Sequence, residues 1–435
     1  MNRVVHNWSS LSTAEQEALM SRPAVSDDSV IKSKVAEIIA AVRQDGDAAL
    51  YEFAERFEGR KLASLKVSPQ EFAEAKAKLG RADKKAIATA IGNVEKFHLA
   101  QVPVDIDMVI GPGIRCERRT ISIDSVGLYV PAGSAPLPST AIMLTVPAAI
   151  AQCPVRILCT PAGDDGNVNA ATLFAAQRSG VTDVFKIGGA QAIAALAFGT
   201  ETVPKVNKLF GPGNAWVTAA KSLVAQDPAG PAIDMTAGPS EVLVVADAMA
   251  NAAFVAADLL SQAEHGVDSQ VILVTTCLDV AELTVVELEK QLRSLTRKET
   301  AEAALANSHL ILVDSLSAAM DISNRYAPEH LILQVESPRD LLPLVRNAGS
   351  VFVGKWTPES AGDYCSGTNH VLPTYGAAKS MGGLGVEQFM RQVTVQELTR
   401  DGLRSLSSTI EQMASLEGLD AHAKAVQLRL IEITQ

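Results

Sequence analysis

The sequence predicts an α/β protein with two doubly wound, parallel-sheet units between a helical N-terminal segment and a helical C-terminal tail. Three observations carry this. From about residue 121 to residue 353, short β-branched runs alternate with alanine-rich stretches of helical spacing, the rhythm of strands joined by crossover helices. Aromatic residues are only 4% of a chain that is 47% hydrophobic, so Ala, Val, Leu and Ile must fill the interior, as they do where helices pack on sheets. The first 100 or so residues and the last 50 carry apolar residues at helical spacings instead. A chain of 435 residues can hold two or three domains.

In chain order, a short leading helix is expected over 9–21, with helices following within 31–57 and 69–100. Residues 140–158 are the most membrane-like stretch, but Pro147, Gln152, Pro154 and Arg156 interrupt it, so a buried helix and then a strand are expected. Strands are expected at 155–159, 184–187 and 206–210, separated by helices from Asn169 and over 190–198. A second series places strands at 242–245, 270–275, 310–313, 331–334 and 351–353, with helices at 251–264, 280–295 and 318–326. The tail reads as helix at 394–398, 409–416 and 421–433; with no strand candidate it should pack as an appendage rather than join a sheet. No GxGxxG follows a strand. Glycine turns stand instead at Pro131-Ala132-Gly133-Ser134, Gly188-Gly189-Ala190-Gln191 and Gly211-Pro212-Gly213-Asn214. The two units are therefore Rossmann-like but incomplete, and any dinucleotide site departs from the usual fingerprint.

A formal charge of −11 with no run of five Lys/Arg argues against nucleic acid or an anionic membrane as partner. The N-terminus lacks the apolar core of a signal peptide, and five unpaired-looking cysteines without a CxxC motif fit free thiols in the cytoplasm. A structural thiolate zinc site is not expected. Cys153 and Cys159 flank an apolar strand and read as core fillers, and nothing marks Cys365 as an activated thiolate.

Three segments carry candidate chemistry. In Asp258-Leu259-Leu260-Ser261-Gln262-Ala263-Glu264-His265-Gly266, the glycine marks a helix end and sets Gln262 and His265 one turn apart. His265 then reads either as a cation at a helix C-terminus or, with the Gln262 carbonyl, as a pair of metal ligands. In Asn324-Arg325-Tyr326-Ala327-Pro328-Glu329-His330, adjacent Glu329 and His330 offer two groups able to move protons, or simply an ion pair. They precede a strand, whereas catalytic groups in open sheets usually lie beyond strand C-termini. The cluster Glu359-Ser360-Ala361-Gly362-Asp363-Tyr364-Cys365-Ser366-Gly367-Thr368-Asn369-His370 follows a strand and reads as a functional loop or a solvated turn. His422 in the tail has a surface reading, and His6, His98 and His309 are taken as structural.

Together these segments resemble the histidinol dehydrogenase family over nearly the whole chain. Further matching strings are Gly127-Leu128-Tyr129-Val130-Pro131-Ala132-Gly133, Phe210-Gly211-Pro212-Gly213-Asn214 and Ile233-Asp234-Met235-Thr236-Ala237-Gly238-Pro239-Ser240-Glu241. The resemblance implies a zinc ion held by Gln262, His265, Asp363 and His422, an N₂O₂ set open to further ligands. It implies substrate contacts at Ser240, His330, His370 and Glu417 besides the metal ligands, and NAD contacts at Tyr129, Gln191 and Asn214. His330 is implied as general base and Glu329 as the group that activates water, in a four-electron oxidation of histidinol to histidine. The tail with Glu417 and His422 resembles a segment that reaches the partner's site in a homodimer. The division implied is a leading segment 1–23, a first α/β domain from 24–128 and 240–384, a second from 129–239, and a tail 385–435. Two rivals are a related dehydrogenase for another amino alcohol or diol, and a non-catalytic metal or small-molecule binder.

Overall fold

A computed structural model describes residues 4–23, 28–132, 135–181, 183–235 and 238–434. The turn expected at Gly133-Ser134 and the Thr236-Ala237 step of the motif lie outside the described residues. The strands in chain order are β1 (Val5–Asn7), β2 (Ile106–Gly111), β3 (Ile114–Ser122), β4 (Ser125–Tyr129) and β5 (Val155–Thr160). They continue as β6 (Asp183–Lys186), β7 (Lys208–Phe210), β8 (Ala232–Ile233), β9 (Glu241–Ala246) and β10 (Gln270–Thr275). Last come β11 (His309–Leu312), β12 (His330–Gln334), β13 (Ser350–Val353) and β14 (Met390–Leu398).

Two parallel sheets form the frame. One runs β6-β5-β4-β7-β8 and the other β1-β11-β10-β9-β12-β13. In the five-stranded sheet the chain starts at the central β4, winds to one edge and then crosses to the other side. In the six-stranded sheet, once β1 has taken one edge, it does the same from β9, so both faces need helices. That need explains the unbroken apolar runs in the strands. Along β9, Val242, Val244 and Ala246 pack into one core with the helix Ala252–Ala263, while Leu243 and Val245 pack into another with Leu316–Tyr326. Along β4, Val126 and Leu128 join the core under Pro138–Ile150, while Tyr129 joins the one under Gly189–Phe198.

The α/β architecture agrees with the sequence, but several details differ: β2, β3, β8 and the central β4 have no counterpart among the expected strands. Residues 394–398 are not helical: they end β14, which pairs antiparallel with β3 from Met390↔Ser122 to Leu398↔Ile114. Val393 and Val395 alternate with more exposed neighbours, a period of two that outweighs the helical spacing of Met390 and Val393. The tail thus joins a three-stranded sheet, β14-β3-β2, built partly from the hairpin at 106–122. The leading segment is not purely helical, because β1 adds to the edge of the six-stranded sheet beside β11. Residues 28–99, expected to group with 240–384, also pack on the unit built around the five-stranded sheet. Val35, Ile38, Leu50 and Phe53 share a core with Ile157 and Phe185, and Phe72, Ile87 and Val94 share one with Val126 and Leu158. These N-terminal helices lie on the helices that cover the five-stranded sheet: Asp28–Asp45 packs on Gly189–Phe198 and Ala215–Gln226, and Arg81–Leu99 packs on Pro138–Ile150 and Ala170–Arg178.

Phe389, fully buried, stacks on Phe210 with ring centroids 3.9 Å apart and pins the start of β14 to the five-stranded sheet. Phe389→Ala should cost about 3–5 kcal/mol, seen as a lower urea midpoint; an unchanged midpoint would remove this anchor from the account.

Candidate functional site

The two parallel sheets meet edge to edge. Tyr129 ends β4, and Gly188 and Gly211 closely follow β6 and β7, so the five-stranded sheet presents its carboxyl edge. Glu241 begins β9 and His330 begins β12, so the six-stranded sheet presents its amino edge. An open cleft of about 2380 Å³ lies between, lined by Tyr129, Gln191, Asn214, Ser240, Gln262, His265, Glu329, His330, Asp363 and His370. Glu329 and His330 thus reach a site although they precede a strand. The usual carboxyl-edge preference is met by the other sheet.

Local sequence explains each placement. The helix Leu316–Tyr326 stops because Ala327 takes a left-handed conformation (φ +54), its N–H donating to Ser323 C=O at 2.7 Å, just before Pro328. Glu329 and His330 then enter β12 at once. The helix Ala252–Ala263 ends one turn before Gly266, and the His265 N–H donates to the Gln262 C=O at 3.2 Å, so the two stay one turn apart. Asp363 sits in the short helix Glu359–Tyr364, and His370 is held by its Nδ1, 2.8 Å from the Asp363 C=O.

His330 is set up as an acceptor. Its Nδ1 lies 3.0 Å from the Glu241 C=O, which can only accept, so the proton belongs on Nδ1 and the lone pair on Nε2. That Nε2 is buried without a hydrogen-bond partner, and Asp363 Oδ1 is 3.9 Å away. Burial pushes the His330 and His370 imidazoles below their ordinary pKa, so both favour the neutral form. Burial raises Glu329 well above the carboxylate range, partly offset by the Glu241 N–H that it accepts at 2.9 Å.

Three groups gather where a cation could bind: one ligand atom each from His265, Glu359 and Asp363 lies within 4.8 Å of the others. Gln262 adjoins them. With its amide nitrogen toward Glu359 it donates to that carboxylate, while its oxygen accepts from the Glu241 N–H at 3.2 Å. Glu359, fully buried, is raised well above its ordinary pKa by burial and then by Asp363, Glu329 and Asp258. Glu417 and His422 are not brought here by their own chain. They are exposed, at the end of the helix Arg400–Glu417 and early in Asp420–Thr434, and line no part of the cleft.

On the other wall, the Tyr129 hydroxyl accepts from the Gly189 N–H at 3.1 Å, and Gln191 Nε2 donates to Glu58 at 3.3 Å. Asn214 Oδ1 accepts from the N–H groups of Trp216 and Val217, capping the helix Ala215–Gln226. Sequence reasoning gave no role to Glu58, Arg22, Glu241 or Glu359. Arg22 pairs with Glu241 at 2.6 Å and its guanidinium lies 4.0 Å from the Tyr326 ring centroid, bracing the start of β9. Glu359, after Pro358, looks in sequence like any acid in a first helical turn. His98 is structural: it is buried, its Nδ1 lies 2.8 Å from the Val94 C=O, and its Nε2 meets the Asn369 amide at 3.3 Å.

Beneath the acidic corner, burial raises Asp258 to a pKa of about 6. A carboxyl whose folded pKa exceeds its unfolded one favours folding when protonated, and that contribution is lost as pH rises through the folded value. In protein stripped of metal by chelator, Asp258→Asn should therefore gain thermal stability relative to wild type as pH rises from about 4 to about 6.5, then hold steady. A pH-independent difference between the two would count against a buried, ionising Asp258.

The comparisons with known proteins agree with one another. Residues 20–430 match the family model of histidinol dehydrogenase. The histidinol dehydrogenase of Vibrio vulnificus strain YJ016 is 52% identical over 427 residues, covering 98% of each chain. That of Yersinia pestis is 52% identical over 424 residues, covering 98% of this chain and 95% of its own. A solved histidinol dehydrogenase from Elizabethkingia anophelis has a TM-score of 0.93 at 43% identity, with 98% of both chains covered. By sequence over nearly its full length and by fold, the chain belongs to the histidinol dehydrogenase family and is an enzyme of it.

Proposed function

We propose that the protein oxidises L-histidinol to L-histidine through bound L-histidinal, a four-electron reaction in the cytoplasm. The observation that carries this reading is the His330 Nε2 lone pair, buried and unpartnered, facing Asp363 in the same cleft as Tyr129, Gln191 and Asn214. NAD, when bound, accepts one hydride in each of two successive oxidations, and zinc, when bound, anchors the substrate's nitrogens.

The donor chemistry fits zinc. His265 and Asp363 offer nitrogen and oxygen within reach of one ion, Gln262 adds a carboxamide beside them, and no thiolate is involved. In this proposal the fourth ligand, His422, comes from the tail of a second copy, which also supplies Glu417 to the substrate. The surface supports a homodimer: β2 exposes Met108, Val109 and Ile110, and the tail helices expose Met413, Leu416, Leu428 and Ile431. Among the described residues no helix is long and apolar enough to cross a membrane.

His330 Nε2 takes the hydroxyl proton in the first oxidation, giving the aldehyde. Glu329 then takes a proton from the water that adds to the aldehyde carbon while His330 returns its proton to the carbonyl oxygen, and the freed His330 Nε2 takes the hydrate's proton in the second oxidation. Both carboxyl and imidazole are held by the Glu241 backbone, which fixes their spacing. Ser240 and His370 line the substrate end of the cleft, while Tyr129, Gln191 and Asn214 line the end assigned to NAD.

Glu329→Gln should slow oxidation of histidinal by roughly 100- to 10,000-fold while histidinol oxidation falls less; equal losses in both halves would remove the water-activating role. Wild type should form about two NADH per histidinol consumed, and a ratio near one would leave only a two-electron dehydrogenase. His265→Ala should lose its zinc on gel filtration, and stoichiometric metal in that variant would break the ligand assignment.

A further inference from the structure

Two charged side chains lie just behind the nucleotide wall of the cleft without lining it. Lys221, midway along the helix Ala215–Gln226, and Asp234, directly after β8, form an ion pair whose side chains are 2% and 0% exposed. Lys221 Nζ donates to the Gly211 C=O at 2.9 Å, and Asp234 Oδ2 accepts the Gly211 N–H at 2.8 Å. The other Asp234 oxygen accepts the Met235 N–H at 2.6 Å. One ion pair therefore grips both backbone groups of a single glycine.

That glycine matters for geometry. Gly211 sits at φ +123, a conformation L residues avoid, and a Cβ there would collide with the Tyr129 carbonyl oxygen. It closes β7 and opens the turn Pro212-Gly213-Asn214, all three of which line the cleft. A Gly-Pro-Gly turn left to itself has wide conformational freedom at both glycines. Stability alone does not account for the pair. Removing two charges from water costs several kcal/mol each, and apolar pairs of similar volume often serve a fold as well. What apolar side chains cannot supply is directed hydrogen bonding to both the N–H and the C=O of Gly211.

We infer that Lys221 and Asp234 are positioning residues for the nucleotide: they lock the Gly211-to-Asn214 turn against the end of β4, so that Tyr129 and Asn214 keep one fixed spacing across the cofactor. The inference rests on the proposed NAD role of this wall. Because the locked turn forms no part of the metal corner, the pair should govern nucleotide affinity and leave histidinol and zinc alone. Displacements of about 1 Å in such positioning elements can cost 100-fold.

The test uses the full-length, zinc-loaded protein carrying Lys221→Met with Asp234→Leu, and separately Asp234→Asn, which keeps the shape but has a single acceptor oxygen. Thermal midpoint, zinc content, NADH affinity by calorimetry, and KM for both substrates are measured. Expected in whichever variant folds is a rise of about tenfold or more in NADH Kd and in KM for NAD, with zinc content and KM for histidinol within about twofold of wild type. A folded variant whose nucleotide constants stay within about twofold of wild type overturns the inference, as does equal weakening of both substrates. Wild-type protein that binds no NADH would instead refute the cofactor reading itself, whatever the variants do.

Discussion

The structure turns on one electrostatic constraint: four carboxyl groups are gathered into a largely buried corner with almost no basic help. Asp258, Glu329 and Glu359 are buried, and Asp363 is mostly covered beside them. Among the described residues, Glu329 and Asp363 pair ionically only with His330, whose imidazole favours the neutral form. Ionised carboxylates in such surroundings are costly unless hydrogen-bonded or given a cation. Part of the cost is met by the Gln262 amide, the Glu241 N–H and Gln334, which donates to Asp258 at 3.2 Å. The remainder is what the proposed divalent ion would offset. Burial keeps the neighbouring imidazoles neutral, while the charge of Asp363 works the other way and favours their protonated form.

The facing of two sheet edges gives this cluster its second wall. Because one sheet offers its amino edge and the other its carboxyl edge, acid–base groups at strand starts meet glycine turns at strand ends across a single cleft. Arg22, from the leading segment, fixes the first set by clamping both oxygens of Glu241, whose Oε1 also accepts the Tyr375 N–H and whose backbone N–H and C=O meet Glu329 and His330. A substitution far from the reacting atoms, at Arg22 for instance, would therefore be felt by the base.

Much of the fold was legible because parallel strands covered on both faces leave continuous apolar runs, as in Val242 to Val245 and Gln270 to Thr275. What escaped mostly lacks that signature, apart from β4, a short buried run interrupted by Gly127. β2 leaves most of its residues exposed and β14 alternates only weakly, while β1 is just three residues long. The candidate site was legible mainly through family resemblance. Spacing alone pointed to Gln262 with His265 and to Glu329 with His330, and left each with a structural alternative. Glu359 could not be found that way, since its role depends on a packing partner, Gln262, 97 residues earlier in the chain. Glu417 and His422 lie outside the cleft of a single chain.

The most direct test of the account is to locate the metal. Zinc-edge anomalous diffraction from crystals of the zinc-loaded protein should give one peak per subunit, at about 2.0–2.2 Å from Gln262, His265 and Asp363 of one chain and from His422 of another. A peak away from the acidic corner, or one coordinated without any residue of a second chain, would contradict it.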